Sequence, residues 1–118
     1  PDVDPEPDGP PPPCSGVLVG GFCWYLGGSE RTCTDTCSSH GGYSSGTMSY
    51  AGSGGSDANC DAVMNALGAG GTPASTLVGS GAGVGCILMW GSRYRVQDTP
   101  TTEGATYILS QSACACAG

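Results

Sequence analysis

The residues with the greatest chemical potential in this chain are its eight cysteines, Cys14, Cys23, Cys33, Cys37, Cys60, Cys86, Cys114 and Cys116. Such a set can ligate a metal as thiolates or oxidise to disulfides. Zinc sites of the ribbon type need paired Cys-x-x-Cys knuckles or histidine partners. Here three residues separate Cys33 from Cys37, one separates Cys114 from Cys116, and His40 is the only histidine. An even number of cysteines spread along the chain reads instead as a disulfide framework made in an oxidising compartment. The expectation is four bridges, no metal and no other cofactor.

The remaining candidates for catalysis are few. His40 lies in Ser-Ser-His-Gly-Gly at the end of an expected helix, where a contact with the helix C-terminal dipole is the ordinary role. Asp57 and Asp61 are i and i+4 on one helix face and read as solvated surface rather than a glycosidase pair. With no base placed beside a nucleophile, no enzymatic activity is expected. Lysine is absent, and three arginines against ten acidic residues give a net charge of -7. A chain so poor in cations cannot build the basic patch that nucleic acid requires. Arg93 and Arg95, two apart on an expected strand, share one face, and pairing to carboxylates across the strand or exposure to solvent is their ordinary reading.

These residues need elements to position them. Val17 to Leu26, VLVGGFCWYL, reads as two short strands around a Gly-Gly turn or bulge, with Phe22, Trp24 and Leu26 on one face. In TCTDTCSSHGG, Thr32 and Asp35 match a capping box and Gly41 a C-terminal cap, so a short helix carries Cys33 and Cys37 on one stripe. The stretch to Gly55 reads as loop, with a short strand at Thr47 to Tyr50. A second helix follows: Ser56 caps it, Gly68 closes it, and Cys60, Val63, Met64 and Leu67 form its buried stripe. The glycine-rich run after it has neither the following helix nor the lysine of a phosphate-cradling loop and reads as a connection. Cys86 to Trp90 and Arg93 to Gln97 form a hairpin around Gly91-Ser92. Thr106 to Leu109 and Ala113 to Ala117 are the last strands, the latter with Cys114 and Cys116 on one face.

The fold class expected is therefore α+β: a small disulfide-rich single domain over residues 14–118, with two short helices packed on a small antiparallel sheet. Helix positions i and i+4 and strand positions i and i+2 are both about 6 Å apart, so at least one bridge should join the first helix to the last strand. Eight cysteines allow 105 pairings. The preferred set is Cys14 with Cys23, Cys33 with Cys60, Cys37 with Cys116, and Cys86 with Cys114.

Residues 1–13, PDVDPEPDGPPPP, form a separate segment with seven of the nine prolines and four of the ten acidic residues. Pro5, Pro7, Pro10, Pro11, Pro12 and Pro13 favour an extended polyproline-II arm, and Asp2, Asp4, Glu6 and Asp8 repel one another. Val3 is its only apolar anchor. Because such an arm cannot fold alone, it is expected to contact a neighbouring subunit, and Arg31, Arg93 and Arg95 are the side-chain cations available to receive its carboxylates.

The pattern CWYLGGSERTCTDTCSSHGG, followed by a second helix, a long loop, a hairpin and a terminal CAC, resembles the C-type-lectin-like domain. Cys23, Trp24 and Tyr25 would match that family's first strand, Cys37 with Gly41 and Gly42 its first helix, and Cys116 its closing strand. Cys14 and Cys23 would resemble the extra amino-terminal bridge of its long forms. The family's calcium and sugar motifs, Glu-Pro-Asn or Gln-Pro-Asp followed by Trp-Asn-Asp, do not occur in this sequence. The chain is also similar to cysteine-rich extracellular modules of environmental microbial fibre and surface proteins.

Two functions are carried forward. The first is a structural subunit of an extracellular fibril or surface layer, a head-to-tail homopolymer of copies of itself, with arm contacts between subunits. The second is a lectin-like carbohydrate-binding module without the calcium motif, in which Tyr43, Tyr50, Tyr94, Trp24 and Trp90 are aromatics able to stack on sugar rings. Against that, Trp24 and Trp90 are expected to be the main core fillers of a chain with one Phe. No run approaches the roughly 18 apolar residues of a membrane span. The chain begins with Pro and shows no signal pattern, which suits a processed secreted protein or an excised segment of a longer one. The loop DTPTT, and the prolines if hydroxylated, are candidates for O-linked sugars.

Overall fold

Two tight hairpins organise the sheet. Strand β1 (Val17–Val19) and strand β2 (Phe22–Leu26) are joined by Gly20 and Gly21, with φ of 62° and 85°. Two successive positive φ values give the loop a twist that matches antiparallel strands, and glycine adopts them without steric cost. In the computed structural model, the residues described are 14–118. The expectations for the arm, residues 1–13, lie outside them.

Helix α1 (Cys33–Cys37) starts where Thr32 accepts a hydrogen bond from the Asp35 amide and ends at Ser38, whose amide donates to the Asp35 carbonyl at 3.2 Å; Gly41, expected as its cap, lies three residues further on with φ of 79°. Helix α3 (Asp57–Ala66) starts where Ser56 accepts from the Asn59 amide at 3.1 Å, and it ends at Gly68 with φ of 72°. Both follow their N-terminal capping signals, and α3 also its glycine at the C-terminal end. Between them lies a third helix, the single turn α2 (Gly46–Ser49), where the sequence suggested a short strand. Its cause is tertiary. Thr47 is fully buried, and its Oγ1 accepts from the Ala115 amide at 2.8 Å and donates to the Ala115 carbonyl at 3.1 Å. One side chain thereby serves Ala115, which pairs with Trp24 of β2 on one side but lies beyond the end of the β4 ladder on the other.

Strands β3 (Thr72–Leu77), β4 (Cys86–Met89), β5 (Ser92–Val96) and β6 (Ser110–Cys116) complete a six-stranded sheet in the order β1-β2-β6-β4-β5-β3. The sheet is mixed: β3 lies parallel to β5, and every other pairing is antiparallel. Sequence reading missed β3 because TPASTL has little apolar alternation and lies on an exposed edge. It also expected a strand at Thr106 to Leu109, which is absent, and began the last strand at Ala113, three residues late. Leu109 has φ of 55°, which interrupts extended backbone, so β6 starts at Ser110 and Thr106 to Leu109 stay outside it.

One face of the sheet carries Trp24, Ala113 and Ala115 against Cys60, Val63 and Met64 of α3. The other carries Cys114 and Cys116 against α1, with Tyr25 and Tyr43 beside them, and continues as a patch of Ile87, Val84 and Val96 flanked by Tyr94 and Tyr107. Burying Val63 and Met64 completely contributes about 1.5–3 kcal/mol each.

The disulfides are Cys14–Cys23, Cys33–Cys114, Cys37–Cys116 and Cys60–Cys86. Two of the preferred pairs, Cys33 with Cys60 and Cys86 with Cys114, are corrected, and strand alternation gives the reason. Ile87 pairs with Ser112, so Ser112 and Cys114 face one side of the sheet and Cys86 the other. Likewise α1 and α3 lie on opposite faces, which separates Cys33 from Cys60. Both α1 cysteines therefore bridge to β6.

Candidate functional site

The charged residues singled out in the sequence are turned inward. Arg93 is 7% exposed and Arg95 6%. Arg93 donates to Asp61 at 3.0 Å, to the Asn65 side chain at 2.8 Å, and to the Ala69 and Gly70 carbonyls at 2.7 and 3.0 Å. Arg95 donates to Asp57 at 2.9 Å, to the Gly52 carbonyl at 3.1 Å and to Gln97 at 3.3 Å. Asp57 and Asp61 are thus ion-pair partners rather than a solvated face. Each also serves β3: Asp57 accepts from the Thr76 hydroxyl and Asp61 from the Ala74 amide. Of the three arginines offered as receptors for the arm, Arg93 and Arg95 have their donors engaged within the domain. Arg31 is exposed and lines a pocket of about 310 Å³ with Leu26, Gly27, Gly28, Asp35 and Thr36.

The groups that could do covalent chemistry are occupied as well. No described cysteine is free, and no cluster of three His, Cys, Asp or Glu capable of holding a metal occurs among the described residues. His40 stacks on Tyr25 with ring centroids 3.8 Å apart and planes 15° apart, and the Tyr25 hydroxyl donates to the Gly118 carbonyl at 2.9 Å. Burial pushes the Tyr43 hydroxyl up from its ordinary pKa; the charge of Glu103 adds to that, while a hydrogen bond with Thr47 opposes it.

What the sequence reading missed lies at one end of β6. The ladder between β4 and β6 ends with Met89 opposite Ser110, and the next residues, Trp90 and Leu109, leave it at the same level. Trp90 is 78% exposed, Ile108 64% and Leu109 46%. Trp24, by contrast, is fully buried and donates its indole N–H to the Val19 carbonyl at 3.0 Å. Expecting both tryptophans in the core was therefore right for Trp24 and wrong for Trp90. The register explains it. Met89 pairs with Ser92, so the turn is Trp90-Gly91 rather than Gly91-Ser92, and Trp90 sits at its tip.

The backbone around this patch is held in a disfavoured conformation. Among the described residues, three that are not glycine have positive φ: Glu30 at 58°, Trp90 at 51° and Leu109 at 55°. Glu30 and Leu109 meet at Ser110, and Trp90 follows Met89, the ladder partner of Ser110. The Glu30 amide donates to the Ser110 carbonyl at 2.8 Å, and its carboxylate accepts from the Leu109 amide at 2.9 Å. A left-handed residue with a Cβ costs about 1–2 kcal/mol, and such strain gathers where function requires it. A tryptophan at a hairpin tip gains little from packing, so its place there needs another cause. Chemically the patch is apolar and flanked by one engaged carboxylate, suited to stacking on rings. No family model, curated protein or solved structure matches the chain.

Proposed function

We propose that this chain is a non-enzymatic structural subunit of an extracellular assembly, a fibril or surface layer, in which residues 1–13 contact a neighbouring subunit. The observation that carries the reading is the exposed trio Trp90, Ile108 and Leu109 at the N-terminal end of β6, two of them on left-handed backbone. Support comes from the four disulfides, which suit a secreted protein, and from the described helices, none of which is long and apolar enough to cross a membrane. Electron microscopy and sedimentation of the full chain and of a chain lacking residues 1–13 test it. Regular polymers from the first and none from the second are expected. Polymers of unchanged length after the deletion overturn it.

A second reading, a lectin-like module that binds neutral glycans without calcium, is favoured by the exposure of Trp90 alone. Saturable glycan binding by a monomer that does not polymerise would replace the first reading with this one.

A further inference from the structure

The two ends of β6 differ in what they offer. At its C-terminal end Cys116 lies opposite Cys23, and Cys23 is bridged to Cys14, the root of the Pro-rich segment. At its N-terminal end stand Ser110 and the patch of Trp90, Ile108 and Leu109. Six residues of strand separate these ends by about 20 Å. The root of the segment therefore lies at one pole of the sheet, where Leu18 opposite Cys23 is exposed singly, and the trio Trp90, Ile108 and Leu109 stands at the other.

We infer that this surface receives residues 1–13 of a second copy, an inference that rests on the assembly reading. Proline rings pack on exposed aromatics because a polyproline-II segment is already ordered and loses little entropy on binding. Trp90 supplies the aromatic face, and Ile108 and Leu109 extend it. The segment also carries four carboxylates and needs a cation. Arg93 and Arg95 are buried with their donors engaged, whereas Arg31 is exposed and follows Glu30, whose carboxylate is held by the Leu109 amide. Arg31 thus follows in sequence the residue that bonds Leu109, and it lines the pocket with Leu26, Gly27 and Gly28, where a charge-assisted contact to Asp4, Glu6 or Asp8 complements the proline packing.

Thirteen residues fully extended span at most about 45 Å, about twice the distance between the poles, so the segment is long enough to pass from its root to the patch of an adjoining copy. A contact that leaves one pole and lands on the opposite pole of the next copy is heterologous, and its repetition produces an open filament or a ring.

The test uses full-length protein, its Trp90→Gly, Ile108→Ser and Arg31→Gln variants, a chain lacking residues 1–13, and a synthetic peptide of residues 1–13 as competitor. Sedimentation velocity reads assembly and tryptophan emission reads the patch; the buried Trp24 emission of each variant verifies its fold. Expected are a rise of at least tenfold in the concentration needed for assembly with Trp90→Gly, a smaller rise with Ile108→Ser, loss of salt sensitivity with Arg31→Gln, and dissociation by the peptide with a blue shift from Trp90. If the truncated chain fails to assemble while Trp90→Gly and Ile108→Ser assemble like wild type, the receptor is elsewhere and the assembly reading stands. If the truncated chain assembles normally, or no form assembles, both fall. An emission change on removing residues 1–13 that is independent of protein concentration places the segment on its own domain and overturns the second copy. Quenching of Trp90 by neutral oligosaccharide with no response to the peptide overturns the inference in favour of a glycan.

Discussion

Replacing Trp90 with glycine should leave the stability of the domain within about 1 kcal/mol of wild type, an unusual outcome for loss of a tryptophan. The magnitude follows from two opposing terms. Relief of a left-handed backbone on a residue with a Cβ returns about 1–2 kcal/mol. Against it, Trp90 is 78% exposed, so about a fifth of its surface is covered. For a side chain of up to 250 Å² that is roughly 50 Å², or about 1.3 kcal/mol at 25 cal/mol per Å². Residual burial in the unfolded chain lowers this to about 1 kcal/mol. The variant would also reproduce the Gly20-Gly21 loop of the first hairpin, where both φ values are positive. Urea unfolding followed by emission of the buried Trp24 measures the difference, and the same change at Trp24, with its T-shaped contact to Phe22 and its bond to Val19, should cost about 3–5 kcal/mol. A loss above 2 kcal/mol for Trp90→Gly would refute the reasoning, because it would mean that the exposed indole serves the fold.

Two further outcomes are expected. Arg93→Met leaves Asp61 without its cation and the Ala69 and Gly70 carbonyls without donors; it should destabilise by about 2–4 kcal/mol in urea titrations, less than a fully enclosed pair because Asp61 keeps 26% exposure. Burial raises the folded-state pKa of Tyr43 above its ordinary value of 10.0, so the stability it contributes is fully present below pH 10 and is lost as pH rises through the raised pKa. Calorimetry at pH 9 and 11 should therefore show a larger fall in Tm for wild type than for Tyr43→Phe, and equal falls would contradict the assignment.

The parts of the fold that were legible in the sequence are those set by local chemistry. Thr32 and Ser56 cap their helices as hydroxyl residues do, and the stripe Cys60, Val63, Met64 points inward because its period is helical. What escaped was set by distant partners. The one-turn helix at Gly46–Ser49 exists because Thr47 bonds both backbone groups of Ala115, 68 residues away. Strand β3 is held by its parallel ladder to β5 and by Asp57 and Asp61, none of which leaves a periodic trace in TPASTL. The candidate surface was lost to a shift of a single residue: reading the turn as Gly91-Ser92 puts Trp90 on a strand, while Trp90-Gly91 puts it at the tip.

A single match of spacings joins helix to strand on both faces of the sheet. Positions i and i+4 of a helix and i and i+2 of a strand are both about 6 Å apart, so a pair of one kind can meet a pair of the other directly. The sheet uses this match twice, once on each face. On one, Cys33 and Cys37 of α1 bridge Cys114 and Cys116 of β6. On the other, Asp57 and Asp61 of α3 pair with Arg95 and Arg93 of β5 at 2.9 and 3.0 Å. The cysteine match is visible in the sequence because only disulfides suit it. The Asp and Arg pairs obey the same spacing, and reading them together assigns two of the three arginines to the interior. That leaves Arg31 as the exposed arginine and removes Arg93 and Arg95 as receptors for an acidic segment. Charges spaced for each other make poor candidates for a binding surface, and an aromatic at a strained turn tip makes a good one.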